Sequence, residues 1–218
     1  MNAVVIEMDG LTTSDPAARF AHTKRARTVA IVSDDDDAQL MLAYARGEMR
    51  AFETLYSRHR GALYRYLVRQ VRDGEAANDL FQEVWSRVIV NRARYEPRAK
   101  FRTFLFTLAH NCFIDHCRRA KARPTGANVD DADAADLLPA DDEVRPDRAL
   151  ERDENSRRFK AALATLPAEQ RDVYLLHEAG DLSLEDIARV TGVGAETAKS
   201  RLRYAIGKLK AALTVAEA

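Results

Sequence analysis

The segment that most constrains the fold is residues 182–213, LSLEDIARVTGVGAETAKSRLRYAIGKLKAAL. Ser183 is placed to cap a helix, and Asp186 follows it at the three-residue spacing of a capping box. Gly192 and Gly194 then interrupt the apolar pattern, as glycine does where the backbone reverses. A second apolar stripe follows at three- and four-residue steps, formed by Ala198, Leu202, Ala205, Ile206, Leu209 and Leu213. The pattern predicts two helices joined by a tight turn.

The side chains that fall outside the second stripe are mostly basic, hydroxyl-bearing or phenolic. They are Glu196, Lys199, Ser200, Arg203 and Tyr204. An exposed face of this kind on the second helix of a helix-turn-helix is suited to reading the DNA major groove. An ordinary helical hairpin with a solvated basic face would show the same residues, so this segment alone leaves both interpretations open.

The formal net charge of the 218-residue chain is zero, but the charges are unevenly distributed. Residues 41–123 hold 17 Lys or Arg against 8 Asp or Glu, a net charge of +9. Residues 124–154 hold 3 against 11, a net charge of −8. A basic block followed by an acidic block is typical of a polyanion-binding domain joined to a solvated linker. A net charge of zero therefore does not exclude nucleic acid as a partner.

Cysteine content and hydropathy predict a cytoplasmic protein with no direct membrane insertion. Cys112 and Cys117 are too few for a disulfide framework. No apolar run approaches the roughly 18 residues that span a bilayer, and the acidic start of the chain lacks the basic region of a secretory signal. Together with His110 and His116, the cysteines lack the spacing of a standard zinc site. We therefore expect neither a metal nor another cofactor.

Apolar residues recur at helical spacing along most of the chain, and no alternating pattern of strands is present. This predicts an all-α fold of two helical modules, the second containing the helix-turn-helix. Residues 1–37 are expected to form a poorly ordered N-terminal extension, residues 38–121 the first module and residues 151–218 the second. Residues 122–150 are rich in Pro, Asp and Ala, and bury too little apolar surface to offset their ordering entropy, which predicts a flexible acidic linker.

Glycines make the helix boundaries of the first module ambiguous. Gly47 and Gly61 weaken the first apolar pattern, which leaves open whether it is one interrupted helix or two. Gly74 is expected to end it. The predicted helices of this module cover residues 38–72, 75–91 and 101–119.

Three stretches resemble, in order and spacing, the bacterial extracytoplasmic-function (ECF) sigma factors. They are ALYRYLVRQVRDGEAANDLFQEVWSRV, FRTFLFTLAHNCFIDHCRR and LPAEQRDVYLLHEAGDLSLEDIARVTGVGAETAKSRLRYAIGKL. The resemblance covers about residues 38–121 and 155–213. It implies that the protein binds core RNA polymerase, that the first module recognises and opens the promoter −10 element, and that the second reads the −35 element. It also implies an anti-sigma factor as a candidate partner.

The resemblance assigns polymerase docking to Asp79, Leu80, Phe81, Gln82, Glu83 and Trp85. Asp79, Gln82 and Glu83 lie at positions i, i+3 and i+4, so one helix face can present them to basic residues of a partner helix. Phe81 or Trp85 can supply an aromatic anchor. A solvated acidic face beside core aromatics would show the same pattern.

The resemblance assigns −10 contacts to Lys100, Arg102, Thr103, Phe104, Thr107, His110, Asn111, Arg118 and Arg119. Opening a duplex requires cations for phosphate and flat side chains for unstacked bases, which this segment supplies. Phe104 stands where many relatives have Trp, a change that keeps stacking and removes an indole hydrogen bond. The neighbouring Phe101, Leu105, Leu108 and Ile114 are expected to be core residues.

The resemblance assigns −35 contacts to Glu196, Thr197, Lys199, Ser200, Arg201, Arg203 and Tyr204. Lys199 and Arg203 are the best candidates for guanine contacts in the major groove, with Ser200 between them. Arg201 and Thr197 are expected to contact phosphate.

Two other classes of function are alternatives to a sigma factor. A helix-turn-helix transcription regulator that does not act as a sigma factor would explain the C-terminal segment, but usually carries a receiver domain of alternating strands and helices. An enzyme is disfavoured because the sequence has no glycine-rich phosphate loop and no serine–histidine or paired-carboxylate pattern. His59 and His177 are isolated, and both are expected to be surface or partial-core residues.

Overall fold

A computed structural model describes residues 34–122 and 146–215 of the chain. Within these two ranges the fold is all-α and has no strand, as the apolar periodicity predicts. Most of the predicted extension and linker lies outside the described residues. The helices are α1 (Asp34–Ala45), α2 (Met49–Val71), α3 (Gly74–Asn91), a 3₁₀-helix (Arg92–Arg94), α4 (Phe101–Ala122), α5 (Pro146–Thr165), α6 (Ala168–Glu178), α7 (Leu184–Thr191) and α8 (Ala195–Val215).

Helices α1 to α4 form the first module, and the structure resolves its ambiguous boundaries. Gly47, at φ 103°, separates α1 from α2 by a turn that an L-residue would adopt only with strain. Gly61 lies inside α2 without breaking it. The prediction that Gly74 ends α2 is wrong. Arg72 takes the left-handed conformation at the C-cap of α2, and Gly74 begins α3. Asp73 caps α3 by accepting a 2.9 Å hydrogen bond from the Glu75 N–H.

The first module contains a buried ion pair that the sequence did not predict. His59 is 1% exposed, so the expectation of an isolated surface or partial-core residue is wrong. Its Nε2 lies 2.7 Å from Asp37 Oδ2, and Arg58 donates a 2.6 Å hydrogen bond to Asp37 Oδ1. Burial alone would raise the pKa of the Asp37 carboxyl, but the contacts with His59 and Arg58 outweigh burial and hold that pKa below its ordinary value.

Helices α5 to α8 form the second module. Pro167 is the N-cap residue of α6, where the N–H that proline lacks would have no partner within the helix. Helix α5 begins at Pro146, so residues 146–150 are helical where composition predicted linker; proline is tolerated in the first turn of a helix. None of the helices in the described residues is both long enough and apolar enough to cross a membrane.

The two modules pack directly against each other. Helix α2 contacts α6 and α4 contacts α7, and the buried apolar side chains of both modules form one continuous cluster. Gly180, between α6 and α7, allows the close approach: a Cβ added there would lie 3.2 Å from Phe106 Cε1 and 2.5 Å from the Leu176 carbonyl oxygen. This packing places side chains of α4 against the second module.

Candidate nucleic-acid interface

The turn of the helix-turn-helix has the predicted chemistry. Ser183 Oγ accepts a 3.1 Å hydrogen bond from the Asp186 N–H and donates one of 2.8 Å to Asp186 Oδ2. Gly192 ends α7 at φ 68°, where the Val193 N–H donates to the Ala188 carbonyl. The predicted cap and the predicted glycine turn are both confirmed, and together they set the angle at which α8 leaves α7.

Helix α8 buries its predicted apolar stripe and exposes the opposite face. Four of the six stripe residues are buried: Ala198, Leu202, Ala205 and Leu209. Ile206 and Leu213 are half-buried. The opposite face is open to solvent along the first three turns, where the exposed residues are Glu196, Thr197, Lys199, Arg203 and Tyr204.

Each of the two cations on the exposed face of α8 has a neighbouring side chain as a contact. The Arg203 guanidinium lies over the Tyr204 ring, 5.1 Å from its centroid, and Tyr204 remains 56% exposed. Lys199 Nζ is 3.7 Å from Glu196 Oε1, a contact between two solvent-exposed groups that adds little stability. Ser200 is half-buried between these side chains. The face therefore presents two cations one helical turn apart, with an aromatic ring beside the second.

Arg201 is engaged within the second module. Its guanidinium donates a 2.7 Å hydrogen bond to Glu169 Oε2 of α6, and its side chain is 25% exposed. The contact ties α8 to α6. In this arrangement Arg201 is thus committed to a carboxylate, whereas the sequence placed it on a DNA phosphate.

Of the residues of α4 that are predicted to contact DNA, some lie at the surface and others in the core. Thr103 is 2% exposed, so its side chain has no free surface for a base or phosphate. Thr107 is half-buried and donates a 2.7 Å hydrogen bond back to the Thr103 carbonyl. Phe104 is half-buried, with its ring centroid 5.2 Å from that of Tyr95 and 6.1 Å from that of Phe101. One edge of the Phe104 ring is thus available beside an aromatic cluster.

Four of the predicted polar contact residues of this segment are exposed: Lys100 immediately before α4, Asn111 in the middle of the helix, and Arg118 and Arg119 near its C-terminal end. Arg119 Nη2 lies 3.5 Å from Glu83 Oε2, and Arg118 Nη1 lies 3.8 Å from Asp115 Oδ1. Because these pairs are solvent-exposed, a phosphate can replace either carboxylate at little cost.

Two further predicted contacts face the second module. Arg102 Nη1 donates to Asp181 Oδ2 at 3.0 Å and lies 3.4 Å from the Gly180 carbonyl oxygen. His110 Nδ1 lies 2.9 Å from Asp172 Oδ2, a close electrostatic contact without the alignment of a hydrogen bond. Both partners are carboxylates of the second module: Asp181 is exposed, whereas the contact between His110 and Asp172 is buried.

Asp172 is the centre of a buried polar cluster between the modules. It is 6% exposed, and its Oδ1 accepts hydrogen bonds from Tyr66 Oη at 2.7 Å and from Gln70 Nε2 at 2.5 Å. Burial and the adjacent Asp172 charge raise the pKa of Tyr66 well above its ordinary value, so the phenol stays protonated and donates. Sequence patterns did not predict this cluster. A signal was present, because Asp172 precedes the buried residues Val173, Leu175 and Leu176 on α6.

The residues of α3 that are predicted to contact polymerase differ in their burial. Leu80 is 2% exposed and Trp85 is 5% exposed, and the Trp85 ring packs edge-on against Phe52 at 5.7 Å. These two side chains belong to the core of the first module. Asp79 and Gln82 are exposed, whereas the half-buried Glu83 is bound to Arg87 at 2.6 Å.

Phe81 is intermediate in exposure between the buried and the exposed residues of α3. It is half-buried, with ring contacts to Tyr56 at 6.1 Å and Tyr64 at 5.9 Å. The surface that α3 offers to a partner is therefore the exposed polar pair Asp79 and Gln82, of which Asp79 is acidic, with the half-buried Phe81 beside it.

The cysteines show no sign of activation. Cys112 is buried, and burial raises its thiol pKa to about 11. The half-buried Cys117 also has a raised pKa, again because of burial. Both thiols are therefore protonated near neutral pH and react slowly. Among the described residues, no group of three or more His, Cys, Asp or Glu side chains could hold a metal ion.

Comparison with known families and relatives identifies similar proteins along both modules. The family described as Sigma-70 region 2 matches residues 55–123, and the family described as Sigma-70, region 4 matches residues 156–209. The chain is 30% identical to the RNA polymerase sigma factor CarQ of Myxococcus xanthus, over 78% of this chain and 93% of CarQ. It is also 30% identical to the ECF RNA polymerase sigma factor SigM of Mycobacterium tuberculosis, over 79% and 82% of the two chains.

Two solved structures share the fold. The first is CnrH in complex with the cytosolic domain of CnrY, with a TM-score of 0.62, 23% identity, and coverage of 83% of this chain and 99% of that chain. The second is the sigma factor RpoE in complex with the anti-sigma factor NepR from Bartonella quintana, with a TM-score of 0.57, 23% identity, and coverage of 75% and 97%.

Proposed function

Because the chain belongs to the extracytoplasmic-function RNA polymerase sigma factors and is an alternative sigma factor that directs transcription initiation at promoters, we propose that its two modules divide promoter recognition between them. Residues 38–121 bind core polymerase and the −10 element, and residues 151–218 bind the −35 element. The observation that carries this proposal is the exposed cationic face of α8 on a helix-turn-helix whose opposite stripe is largely buried.

In the second module, Lys199 and Arg203 are the proposed base-reading residues. They lie one helical turn apart on the open face, at a spacing that lets both reach donors and acceptors in one major groove. Stacking on Tyr204 limits the freedom of the Arg203 guanidinium, which lowers the entropy cost of a bidentate guanine contact. Glu196, Thr197 and Ser200 complete the proposed −35 surface. Arg201 supports this surface through Glu169 rather than contacting DNA.

In the first module, the proposed −10 surface is α4. Its exposed or half-buried members are Lys100, Phe104, Thr107, Asn111, Arg118 and Arg119. Phe104 offers an edge for an unstacked base, and the cations offer phosphate contacts. Arg102 and His110 are also proposed as −10 contacts, available once their carboxylate partners are displaced. Thr103 is buried, so its proposed role is to position α4.

Polymerase docking is assigned to the exposed side of α3. Asp79 and Gln82 present acceptors to a basic partner surface, with Glu83 and Phe81 beside them. Leu80 and Trp85 hold α3 in the core of the module and support this surface from beneath. Docking therefore depends on the buried residues, which hold α3 in position, and on the exposed residues, which contact the polymerase.

Core binding tests this assignment. Purified protein is mixed with core RNA polymerase, and the dissociation constant is measured by fluorescence anisotropy. We expect Asp79→Ala/Gln82→Ala to weaken binding by about tenfold, as the loss of a desolvated polar contact of about 1.4 kcal/mol predicts. The matched control is Glu53→Ala, which removes an exposed carboxylate from α2. Equal affinity of the double variant and the control would overturn the docking assignment.

Membership of this family also suggests a partner and a cellular location for the protein. RpoE, which shares this fold, was solved with an anti-sigma factor, and we propose an anti-sigma factor as a partner here as well. We further propose that the protein acts in the cytoplasm, where polymerase and promoter DNA are found, and that it has no catalytic activity of its own. Pull-down from cell extract with the purified chain, followed by sequencing of retained proteins, tests the partner; recovery of polymerase subunits alone would contradict it.

A further inference from the structure

The half-buried arginines among the described residues fall into two sets. In the first set each guanidinium has a carboxylate oxygen within 3.0 Å, and its members are Arg87, Arg102 and Arg201. The second set is Arg65, Arg69 and Arg171, and none of these three forms an ion pair with a carboxylate of the described residues. A half-buried cation without a counter-ion is costly, because it has lost part of its hydration and gained no opposite charge.

The arginines of the second set lie together, along the seam between α2 and α6. Arg65 and Arg69 are one helical turn apart on α2, and Arg72 at its C-cap continues their stripe. Arg171 faces them from α6, with its Nε 3.4 Å from Gln70 Oε1. Burial lowers the pKa of Arg69, and the charge of Arg65 lowers it further; burial and the charge of Arg72 do the same to the pKa of Arg171. These four arginines form an arginine seam about 10 Å long, at the helical rise of about 1.5 Å per residue.

Aromatic side chains flank the arginine seam. The Arg69 guanidinium lies 5.4 Å from the centre of the Phe159 ring, and that ring lies 6.3 Å from the ring of Tyr174. Burial raises the pKa of Tyr174 to about 12, with the charge of Glu178 adding to the effect. The phenol is therefore protonated near neutral pH and can donate a hydrogen bond. The arginine seam thus offers guanidinium and phenol donors from both helices.

Two carboxylates lie near the arginine seam, and neither neutralises it. The charge of Glu178 acts to raise the pKa of Arg69, but Glu178 is exposed and forms no ion pair with it. The oxygens of Asp172 are taken by its own polar cluster. Positive charge therefore exceeds negative charge here, which favours an anionic ligand.

The length of the arginine seam favours a ligand with several anionic groups. A single small anion reaches one or two of the guanidinium groups and leaves the others without a counter-ion. Phosphate oxygens fit the planar donor fork of arginine in bidentate pairs. An extended acidic peptide turns alternate side chains away from one surface, whereas every phosphate of a polyphosphate chain carries charge. The density of cations therefore matches a chain of phosphates.

We propose that the arginine seam is a binding site for a polyphosphate, either inorganic or part of a nucleotide, whose phosphates bridge α2 and α6. None of the four arginines belongs to the proposed DNA or polymerase surfaces. The site is therefore independent of the division of promoter recognition, and promoter specificity does not enter its test. Binding neutralises the arginine seam, so the ligand also stabilises the folded chain.

Calorimetric titration of the full chain with sodium tripolyphosphate tests the site, at an ionic strength that screens distant charges. Arg69→Gln and Arg171→Gln should each weaken binding by about tenfold, because each removes charged donors from one side of the seam. The matched control is Arg60→Gln, which removes the same charge from an exposed position on α2 and should change the affinity by less than about twofold. Equal weakening by Arg60→Gln and Arg69→Gln would show general attraction of anions and overturn the site.

Other anions distinguish the two sources of phosphate. Sulfate should bind at least about tenfold more weakly than tripolyphosphate, because it cannot engage both sides of the seam at once. Equal affinity for sulfate would show an adventitious ion only and would overturn the proposal. Adenosine triphosphate without magnesium is the nucleotide arm: tighter binding than tripolyphosphate supports a nucleotide ligand, and equal binding supports an inorganic one.

Arg65→Gln separates a binding role from a structural one. Arg65 lies beside Arg69 and makes no hydrogen bond to another described residue. Removing its charge relieves repulsion between like charges one turn apart, so the variant should have a raised thermal unfolding midpoint without ligand and a lowered affinity for tripolyphosphate. Circular dichroism gives the midpoint. A variant that is less stable and binds as tightly as wild type would contradict the site.

The acidic segment of the chain itself is the competing occupant. Residues 123–145 lie outside the described residues and hold seven Asp or Glu against two Arg. The variant Asp130→Asn/Asp131→Asn/Asp133→Asn/Asp136→Asn removes much of this negative charge from the full chain. An affinity for tripolyphosphate within about twofold of wild type supports an external ligand, whereas a rise of about tenfold would show that the segment occupies the seam and would overturn the proposal.

Discussion

At the scale of single residues, burial gives several charged side chains roles that their sequence neighbourhood does not indicate. Asp37 follows three other aspartates, and only the structure shows that it turns inward to His59 and Arg58. Its neighbour Asp36 remains exposed. These contacts join α1 to α2, so they support the fold of the first module, to which α4 also belongs.

Replacing Asp37 should therefore destabilise the first module. We expect Asp37→Asn to lower the free energy of unfolding by about 2 kcal/mol, the range for hydrogen bonds to a buried charged group. Asp36→Asn, one residue earlier and exposed, is the matched control and should change it by less than about 0.5 kcal/mol. Urea unfolding followed by circular dichroism gives both values, and equal stabilities would show that the ion pair contributes nothing.

The same pair predicts a dependence on pH. Because the folded-state pKa of Asp37 lies below its ordinary value, its contribution to stability is full above that ordinary value and is lost as pH falls through the folded pKa. The difference in unfolding free energy between wild type and Asp37→Asn should be constant at neutral pH and shrink in strong acid. A difference that grows on acidification would contradict the assigned charge state.

At the scale of elements, the turn between α7 and α8 shows how local sequence controls the DNA-reading face. Gly192 and Gly194 both have open space where a Cβ would stand. Only Gly192 has a positive φ, at 68°, which an L-residue adopts with strain. Because neither position is crowded, a difference between the effects of substituting Gly192 and Gly194 reports the effect of backbone conformation.

We expect Gly192→Ala to destabilise the second module by about 1 kcal/mol, whereas Gly194→Ala should be neutral or slightly stabilising because it restricts the unfolded chain. Thermal unfolding followed by circular dichroism compares them. If both substitutions lower the midpoint equally, the left-handed turn is not what fixes the angle between α7 and α8.

The elements themselves could be predicted because their signals are local. The Ser183 cap, the glycine turn and the apolar stripe of α8 each depend on residues within a few positions of one another. The same is true of the exposed face that carries Lys199 and Arg203. The Asp172 cluster could not be predicted in this way, because its partners Tyr66 and Gln70 are 106 and 102 residues away in the chain.

Burial also distinguishes residues of the candidate site that helical spacing alone does not distinguish. Leu80, Trp85 and Thr103 share helix segments with exposed residues of the predicted surfaces, yet all three are buried. A helical pattern indicates which residues share a face, whereas the neighbours that cover that face come from distant segments. For this reason sequence spacing predicts the helices, whereas the exposure of individual side chains on them depends on tertiary packing.

At the scale of the whole molecule, the two modules are more closely joined than their separate sequence patterns suggest. The prediction was of two modules connected by a linker, and the structure adds a shared apolar cluster and a buried carboxylate between them. Reading two separate promoter elements requires the α4 and α8 surfaces to be available together. In the packed arrangement the α8 face is exposed, whereas Arg102 and His110 of α4 lie against carboxylates of the second module.

The most direct test of the division of promoter recognition is transcription by purified protein and core RNA polymerase on fragmented genomic DNA of the source organism, with sequencing of the transcript 5′ ends. Wild-type transcripts should share two upstream elements. Lys199→Ala/Arg203→Ala should relax only the upstream −35 element, by roughly 1–3 kcal/mol per contact, and Asn111→Ala should relax only the −10 element. If both variants altered the same element, or if neither altered the sequences selected, the division of recognition between α8 and α4 would be contradicted.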